Sequence, residues 1–480
     1  MLQPSKHQPT LRFIRPARKS RAAWVLAACL CVVPAAVLSQ RPATPQERSL
    51  EDAFQTAMAA QDRGDLDQAE SILRKLRATH PGIFAIDESL GMLYVQRERF
   101  AEALPLLQAA VRDAPRSDAA HANLGAAYFR LNRNEEALAE FQAAARLNPQ
   151  NAAIQRSLGR LWMEQHQPAQ AADAFAAALK TNPGNTDLIL DRAQALLEAG
   201  SAAQAIAALN DMPGVDQSAA AQSLLGEANE KLGAYKEAGT HLSRAVELEP
   251  SEANAWALGV ELLRHWTFDA AIREFQLAQA RFPDSARMRL GLGAAYFGAG
   301  KYAEAVPVFA DLLKSDPPNH LYAELLGMSC TAASVDATHR CNELITYAQS
   351  HPEDAKASTY AATQLVQAKG NEDQADLARK LLESAIRRDP DSAEAHFELA
   401  LLKQNQADWA GSVPDLETAL RLKPDFAKAH YRLALAYYRA GRKSEAQQQM
   451  QLNDKYRKQQ QADLEQRLHQ ITTFLLDTKK

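Results

Sequence analysis

Cysteine is almost missing from this sequence: four occur in 480 residues, and two of them, Cys29 and Cys31, fall in an uncharged run near the start. There is no CxxC pair, so thiolate metal sites and dithiol redox chemistry have no motif to rest on. Glycine (20 residues) and aromatics (7%) are also sparse, which leaves few strand signals. No stripe of Lys and Arg runs through the body, and nucleic acid is excluded as a partner because phosphate neutralisation needs clustered cations. HExxH, GxSxG and a P-loop are all lacking. Gly291 and Gly293 open like a dinucleotide fingerprint, but the third glycine place holds Tyr296. The expectation is a protein that is not an enzyme and carries no cofactor or metal.

What is present is Ala, Leu, Gln and Glu, a mixture that favours helix. Charge is divided unevenly along the chain. The formal net charge is -4, yet the first 39 residues carry six cations (Lys6, Arg12, Arg15, Arg18, Lys19, Arg21) and no acid, so the remainder stands at -10. After Arg21, Ala22 to Leu38 run without a charge. Residues 1–39 therefore have the form of a secretory signal or N-terminal membrane anchor. Three fates stay open: cleavage after Ser39, lipidation at Cys29 within Leu26-Ala27-Ala28-Cys29, or retention as an anchor. All three put the body outside the cytoplasm, periplasmic or extracellular, with membrane contact only through this segment if it is not cleaved. In an oxidising compartment Cys330 and Cys341 are candidates for a disulfide, with two buried thiols as the alternative.

Proline spacing organises the rest. Prolines stand at 81, 115, 149 and 183, then at 250, 283, 317, 352, 390 and 424, a period near 34. Twelve residues before all of these prolines except Pro352 lies a small residue (Ala69, Ala103, Ala137, Ala171, Ala238, Ala271, Ala305, Ala378, Ser412). Twelve further back another recurs (Gly91, Gly125, Gly159, Gly226, Gly259, Gly293, Ala400). Eight before the proline sits a large apolar residue, such as Leu107, Phe141, Phe175 or Phe275. A fixed period of this length marks a stacked helical hairpin whose crossing point needs small side chains. The proline ends the second helix of each unit, because the residue before it is pushed out of the α region.

On those residues the chain resembles the tetratricopeptide repeat family over residues 50–452, in about twelve units. Two units are degenerate, one around Ser201–Pro213 and one carrying Cys330 and Cys341. The resemblance implies an all-α fold, an α-α superhelix of right-handed hand with its inner face lined by the first helix of each pair. Residues 40–49 read as a polar linker. Residues 453–480 read as a C-terminal capping helix with a stripe of Leu464, Leu468, Ile471 and Leu475. His121, His396 and His430 share one repeat position, so they recur along the array and do not converge on a metal.

The repeat phase selects the places that line the inner face. In the middle units these are Trp256, Leu263, Leu290 and Phe297, and in the last units Phe397, Leu401, Lys428, Tyr431, Leu435, Tyr438 and Arg439. Aromatics and Arg on such a wall are the residue types of binding hot spots. The partner is expected to be a protein or peptide. The family's carboxylate clamp is matched only by Lys428 and Arg432, and Glu398 stands where the clamp needs Asn. The functional expectation is a scaffold or adaptor of the cell envelope. The alternative is a non-catalytic subunit of an envelope polysaccharide or secretion and pilus assembly machine. Oligomeric state is not legible.

Overall fold

Residues 45–333 and 341–477 are described by the computed structural model, with side chains for 48–333 and 341–462. The expected export segment and the side chains of the Leu464–Leu475 stripe lie outside the described residues. Among the described residues the regular structure is all helical, α-helices with one 3-10 turn at Val215–Gln217, in two compact units divided at Leu248 and Glu249.

The first unit is built from consecutive helical hairpins. They are α1 (Pro45–Asp62) with α2 (Leu66–Thr79), α3 (Phe84–Gln96) with α4 (Phe100–Asp113), and α5 (Asp118–Arg130) with α6 (Asn134–Leu147). Then come α7 (Ala152–Glu164) with α8 (Pro168–Leu179), α9 (Thr186–Glu198) with α10 (Ala202–Asn210), and α11 (Ala219–Lys231) with α12 (Tyr235–Leu248).

The second unit repeats the plan. It pairs α13 (Glu252–Arg264) with α14 (Phe268–Arg281), α15 (Ala286–Gly298) with α16 (Tyr302–Ser315), and α17 (His320–Ala332) with α18 (Asn342–Ser350). It ends with α19 (Ala355–Ala368) and α20 (Glu372–Arg388), α21 (Ala393–Asn405) and α22 (Trp409–Leu422), and α23 (Ala427–Arg439) and α24 (Lys443–Asp477).

Each hairpin starts, turns and stops for local reasons. Most first helices open on a short polar cap: the Asn151 side chain accepts from the Ala153 and Ile154 amides at 3.1 and 3.3 Å, and Ser117, Asn185, Ser285 and Ser392 act alike. Most first helices close on a left-handed residue, Gly at 64, 200, 233, 300 and 441 but Glu98, Asn132, His166, Trp266, Lys369 and Ala407 elsewhere. The next amide then reaches back to seal the turn, as in Arg133 to the Tyr128 carbonyl (3.0 Å) and Asp408 to the Lys403 carbonyl (2.9 Å). This periodic turn is a feature the proline pattern did not announce.

The crossing point is as tight as the small residues imply. Ala69, Ala103, Ala137, Ala171, Ala238, Ala271, Ala305, Ala378 and Ser412 are all wholly buried. A methyl placed on Gly159 would stand 2.5 Å from the Phe175 ring, and one on Gly259 would stand 2.3 Å from Phe275. Those rings are themselves fully buried, each contributing roughly 2–3 kcal/mol by area. Large residue and glycine are therefore the two halves of one contact within a hairpin.

Several expectations need correction. The 40–49 linker is helical from Pro45, which sits at the first helical position where its missing N–H costs nothing. The C-terminal helix does not begin at 453: α24 is continuous from Lys443, so the last repeat's second helix and the cap are one element. It covers α23 through His430, which bonds Gln449 at 2.6 Å and stacks on Tyr456 at 5.4 Å. Separately, Pro105, Pro307 and Pro414 lie sixth in their helices. The carbonyls they leave unpaired belong to Ala101, Ala303 and Ala410, which are exposed to water. The degenerate units show as short second helices, α10 and α18, of 9 residues each.

Candidate protein-binding wall of the last repeats

The middle cluster packs more than it presents. Trp256 on α13 is half-buried, with its ring 5.9 Å from Phe275 and the Arg287 guanidinium 4.5 Å from its own ring centre. Leu263 and Leu290 are half-buried against the hairpin cores, and Phe297 meets Tyr302 edge-on at 5.2 Å. These residues hold neighbouring hairpins together, because a first-helix place next to the crossing also touches the following unit. In the first unit Arg156 and Arg160 on α7 both reach Asp191, at 3.3 and 3.7 Å.

The last two first helices differ. Phe397 on α21, expected on the open wall, is only 6% exposed and packs with its ring centre 4.8 Å from that of Phe426. It is core, since the loop before α23 folds back over it. Leu401 and Leu435 are half-buried. On α23, by contrast, Tyr431 is 43% and Tyr438 66% exposed, and Lys428 and Arg439 are exposed beside them. The Arg439 guanidinium lies 4.2 Å over the Trp409 ring, which holds its planar group in place.

Beneath this row is a residue that the inner-face phase did not select. Glu398 on α21 is 9% exposed, and its Oε2 has no hydrogen-bond partner among the described residues. Burial pushes its carboxyl up to about 7; the Lys428 and Arg432 charges, and then the Thr363 hydroxyl, pull it only part of the way back. That hydroxyl already donates to the Thr359 carbonyl at 2.9 Å. Neither Lys428 nor Arg432 forms an ion pair with an acid among the described residues. Around them the charges are matched: Lys423 holds Glu394 at 2.8 Å, Lys356 holds Glu324 at 2.9 Å, and Lys403 holds Asp415 at 2.6 Å. The sequence signal for this spot was a glutamate in a helix position that burial disfavours, but only tertiary packing shows the burial.

Cys330 at the end of α17 and Cys341 at the start of α18 are bonded in the structure, with Cα atoms 6.0 Å apart. Residues 334–340 between them lie outside the described residues. The recurrent histidines serve turns. His121, His396 and His430 each set Nε2 against a proline carbonyl (Pro115, Pro390 and Pro424) at 3.2, 3.1 and 2.9 Å.

Family models described as tetratricopeptide repeat match residues 53–82, 88–152, 163–228, 257–320, 363–403 and 397–451. The chain belongs to the tetratricopeptide repeat family. Tetratricopeptide arrays generally act as non-catalytic scaffolds that bind proteins or peptides. No curated protein matches the sequence.

Similar solved structures include the APC/C hetero-tetramer Cut9–Hcn1, at 14% identity over 85% of this chain and 87% of that one, with TM-score 0.33. Another is pilF of Pseudomonas aeruginosa, at 19% over 44% and 96%, with TM-score 0.38. A third is YrrB, a TPR protein with an unusual peptide-binding site, at 18% over 39% and 97%, with TM-score 0.37.

Proposed function

We propose that the protein is an exported adaptor that captures a partner protein or peptide on the α23 wall, outside the cytoplasm. The observation that carries the capture is the pair of exposed tyrosines, Tyr431 and Tyr438, flanked by the cations Lys428, Arg432 and Arg439. Two aromatic side chains on a rigid helix offer large contact area with little rotamer entropy to lose. Support for export comes from the six cations followed by the uncharged Ala22–Leu38 run. Among the described residues no helix is long and apolar enough to cross a membrane.

The test is crosslinking and pull-down of the full chain from its native envelope, wild type against the Tyr431→Ala/Tyr438→Ala double variant, with bound proteins identified by mass spectrometry. One dominant partner that the double variant loses, at unchanged helical content, supports the adaptor. Equal capture by both proteins sinks the wall assignment. Stoichiometric co-purification with a catalytic subunit favours the reading as a non-catalytic subunit of an envelope machine.

A further inference from the structure

A cavity of about 790 Å³ lies between α2, α3 and α4 in the first unit, a size that suits a small ligand or a few residues of peptide. It opens where the repeat leaves its own plan unfilled. In other units two kinds of side-chain bridge close the equivalent place. The first caps the tyrosine that stands three places past the small residue of the first helix. Gln108 donates to Tyr128 Oη at 2.9 Å, Gln276 donates to Tyr296 Oη at 2.9 Å, and Tyr437 Oη donates to Glu417 at 2.7 Å, the partner in each case 20 residues earlier. The second bridge joins the two helices of a hairpin across 19 residues: His121 to Glu140 at 2.6 Å, Gln222 to His241 at 2.8 Å, and His430 to Gln449 at 2.6 Å. Around the cavity both are missing. The place 20 before Tyr94 holds Arg74, and the Tyr94 Oη makes no hydrogen bond among the described residues. Asp87 occupies the histidine place, but 19 further on stands Leu106, so Asp87 accepts from Arg77 at 2.7 Å instead.

The groups left on the lining complement one kind of ligand. Arg74 has a guanidinium to give, because its acid, Glu70, is 3.7 Å away and already held by Arg97 and Arg99 at 2.9 and 2.8 Å. Burial keeps the Tyr94 phenol above its usual range, so it stays protonated and donates. Pro105 has no N–H to return to the Ala101 carbonyl, which leaves an acceptor on the same lining. Leu90 and Leu106 supply an apolar floor. A phosphate dianion would crowd Asp87 and Glu102, whereas a single negative charge meets the Arg74 fork and the phenol. We propose that this cavity binds an N-acylated apolar amino acid, free or as the C-terminal residue of a peptide. Its carboxylate sits on Arg74 and Tyr94, its amide N–H on the Ala101 carbonyl, and its side chain on Leu90 and Leu106. The site belongs to the first unit and does not depend on the reading of the α23 wall.

The test uses the full chain and an N-terminally labelled fluorescent tetrapeptide ending in Leu, as the free acid and as the C-terminal amide. Binding is read by anisotropy for wild type, R74Q, Y94F and Tyr431→Ala/Tyr438→Ala. A charge-assisted hydrogen bond is worth about tenfold or more in affinity, so the free acid should bind at least about tenfold tighter than the amide. R74Q rebuilds the Gln-to-Tyr bridge of the other units, and Y94F removes only the hydroxyl. Each should bring the acid down towards the amide at unchanged melting temperature, while the α23 double variant keeps the preference. Displacement by N-acetyl-leucine supports the site as a reader of the terminal residue alone; displacement only by the unlabelled tetrapeptide supports it as a reader of a chain end. Equal binding of acid and amide, a preference that survives in R74Q or is lost in the α23 double variant, or no binding of either peptide overturns the proposal.

Discussion

Glu398→Gln should make the protein more stable, and only above a certain pH. In the folded protein the carboxyl is raised from 4.5 to about 7 by burial, while in the unfolded chain it returns to 4.5. Below pH 4.5 it is protonated in both states and burial costs little. Between 4.5 and about 7 the folded state binds the extra proton, so stability falls as pH rises through that window and levels off above it. The gap corresponds to a penalty of up to about 3 kcal/mol at about pH 8. Glutamine keeps the shape of the neutral acid and cannot ionise, so the variant should match wild type near pH 4 and exceed it by up to about 3 kcal/mol near pH 8. Repeat arrays open unit by unit, so the difference is best read locally. The assay is hydrogen exchange of peptides covering α21 and α23, for both proteins across pH, taken as a difference so that other carboxylates cancel. A difference that is flat with pH, or largest under acid conditions, would refute the assignment of Glu398 as a buried, poorly solvated acid.

Three further outcomes follow from the packing. Gly259→Ala drives a methyl to 2.3 Å from the fully buried Phe275 ring and should cost about 1–3 kcal/mol. Gly239→Ala, with nothing within 4 Å, should gain about 0.5–1 kcal/mol from helix propensity; thermal melts of both variants check the contrast. Phe397→Ala should lose about 3–5 kcal/mol as a core deletion, whereas Tyr431→Ala should stay within about 0.5 kcal/mol; equal losses in urea unfolding would undo the division between core and wall. Cys330 and Cys341 should resist thiol labelling in exported protein until reduced. Replacing both with Ser should cost about 2–3 kcal/mol on a loop of 11 residues; prompt labelling of both thiols without reductant would exclude the bridge.

Much of this architecture was written in one dimension. A hairpin repeat depends on local events that recur at a fixed spacing: a proline that stops a helix, a small residue where two helices cross, a large one opposite. Ala103, Gly159 and Phe275 could be placed before any coordinates because each contact lies inside one hairpin, within about 16 residues. The left-handed turns were half legible, through Gly64, Gly200, Gly300 and Gly441, and hidden where Glu98, His166 or Ala407 holds the same backbone.

The candidate site was a different matter. Phase alone put Phe397 and Tyr431 on the same wall, since they occupy equivalent places in successive repeats. Only the tertiary structure separated them, because Phe426 closes over the first and nothing among the described residues closes over the second. Likewise, sequence supplied Glu398, Lys428 and Arg432 as charges of opposite sign on neighbouring helices. That the acid is buried without a full set of partners, and that the cations are not spent on it, is a property of how three first helices stack. Periodicity determines which residues meet within a repeat; the solvent left between repeats is decided by the fold.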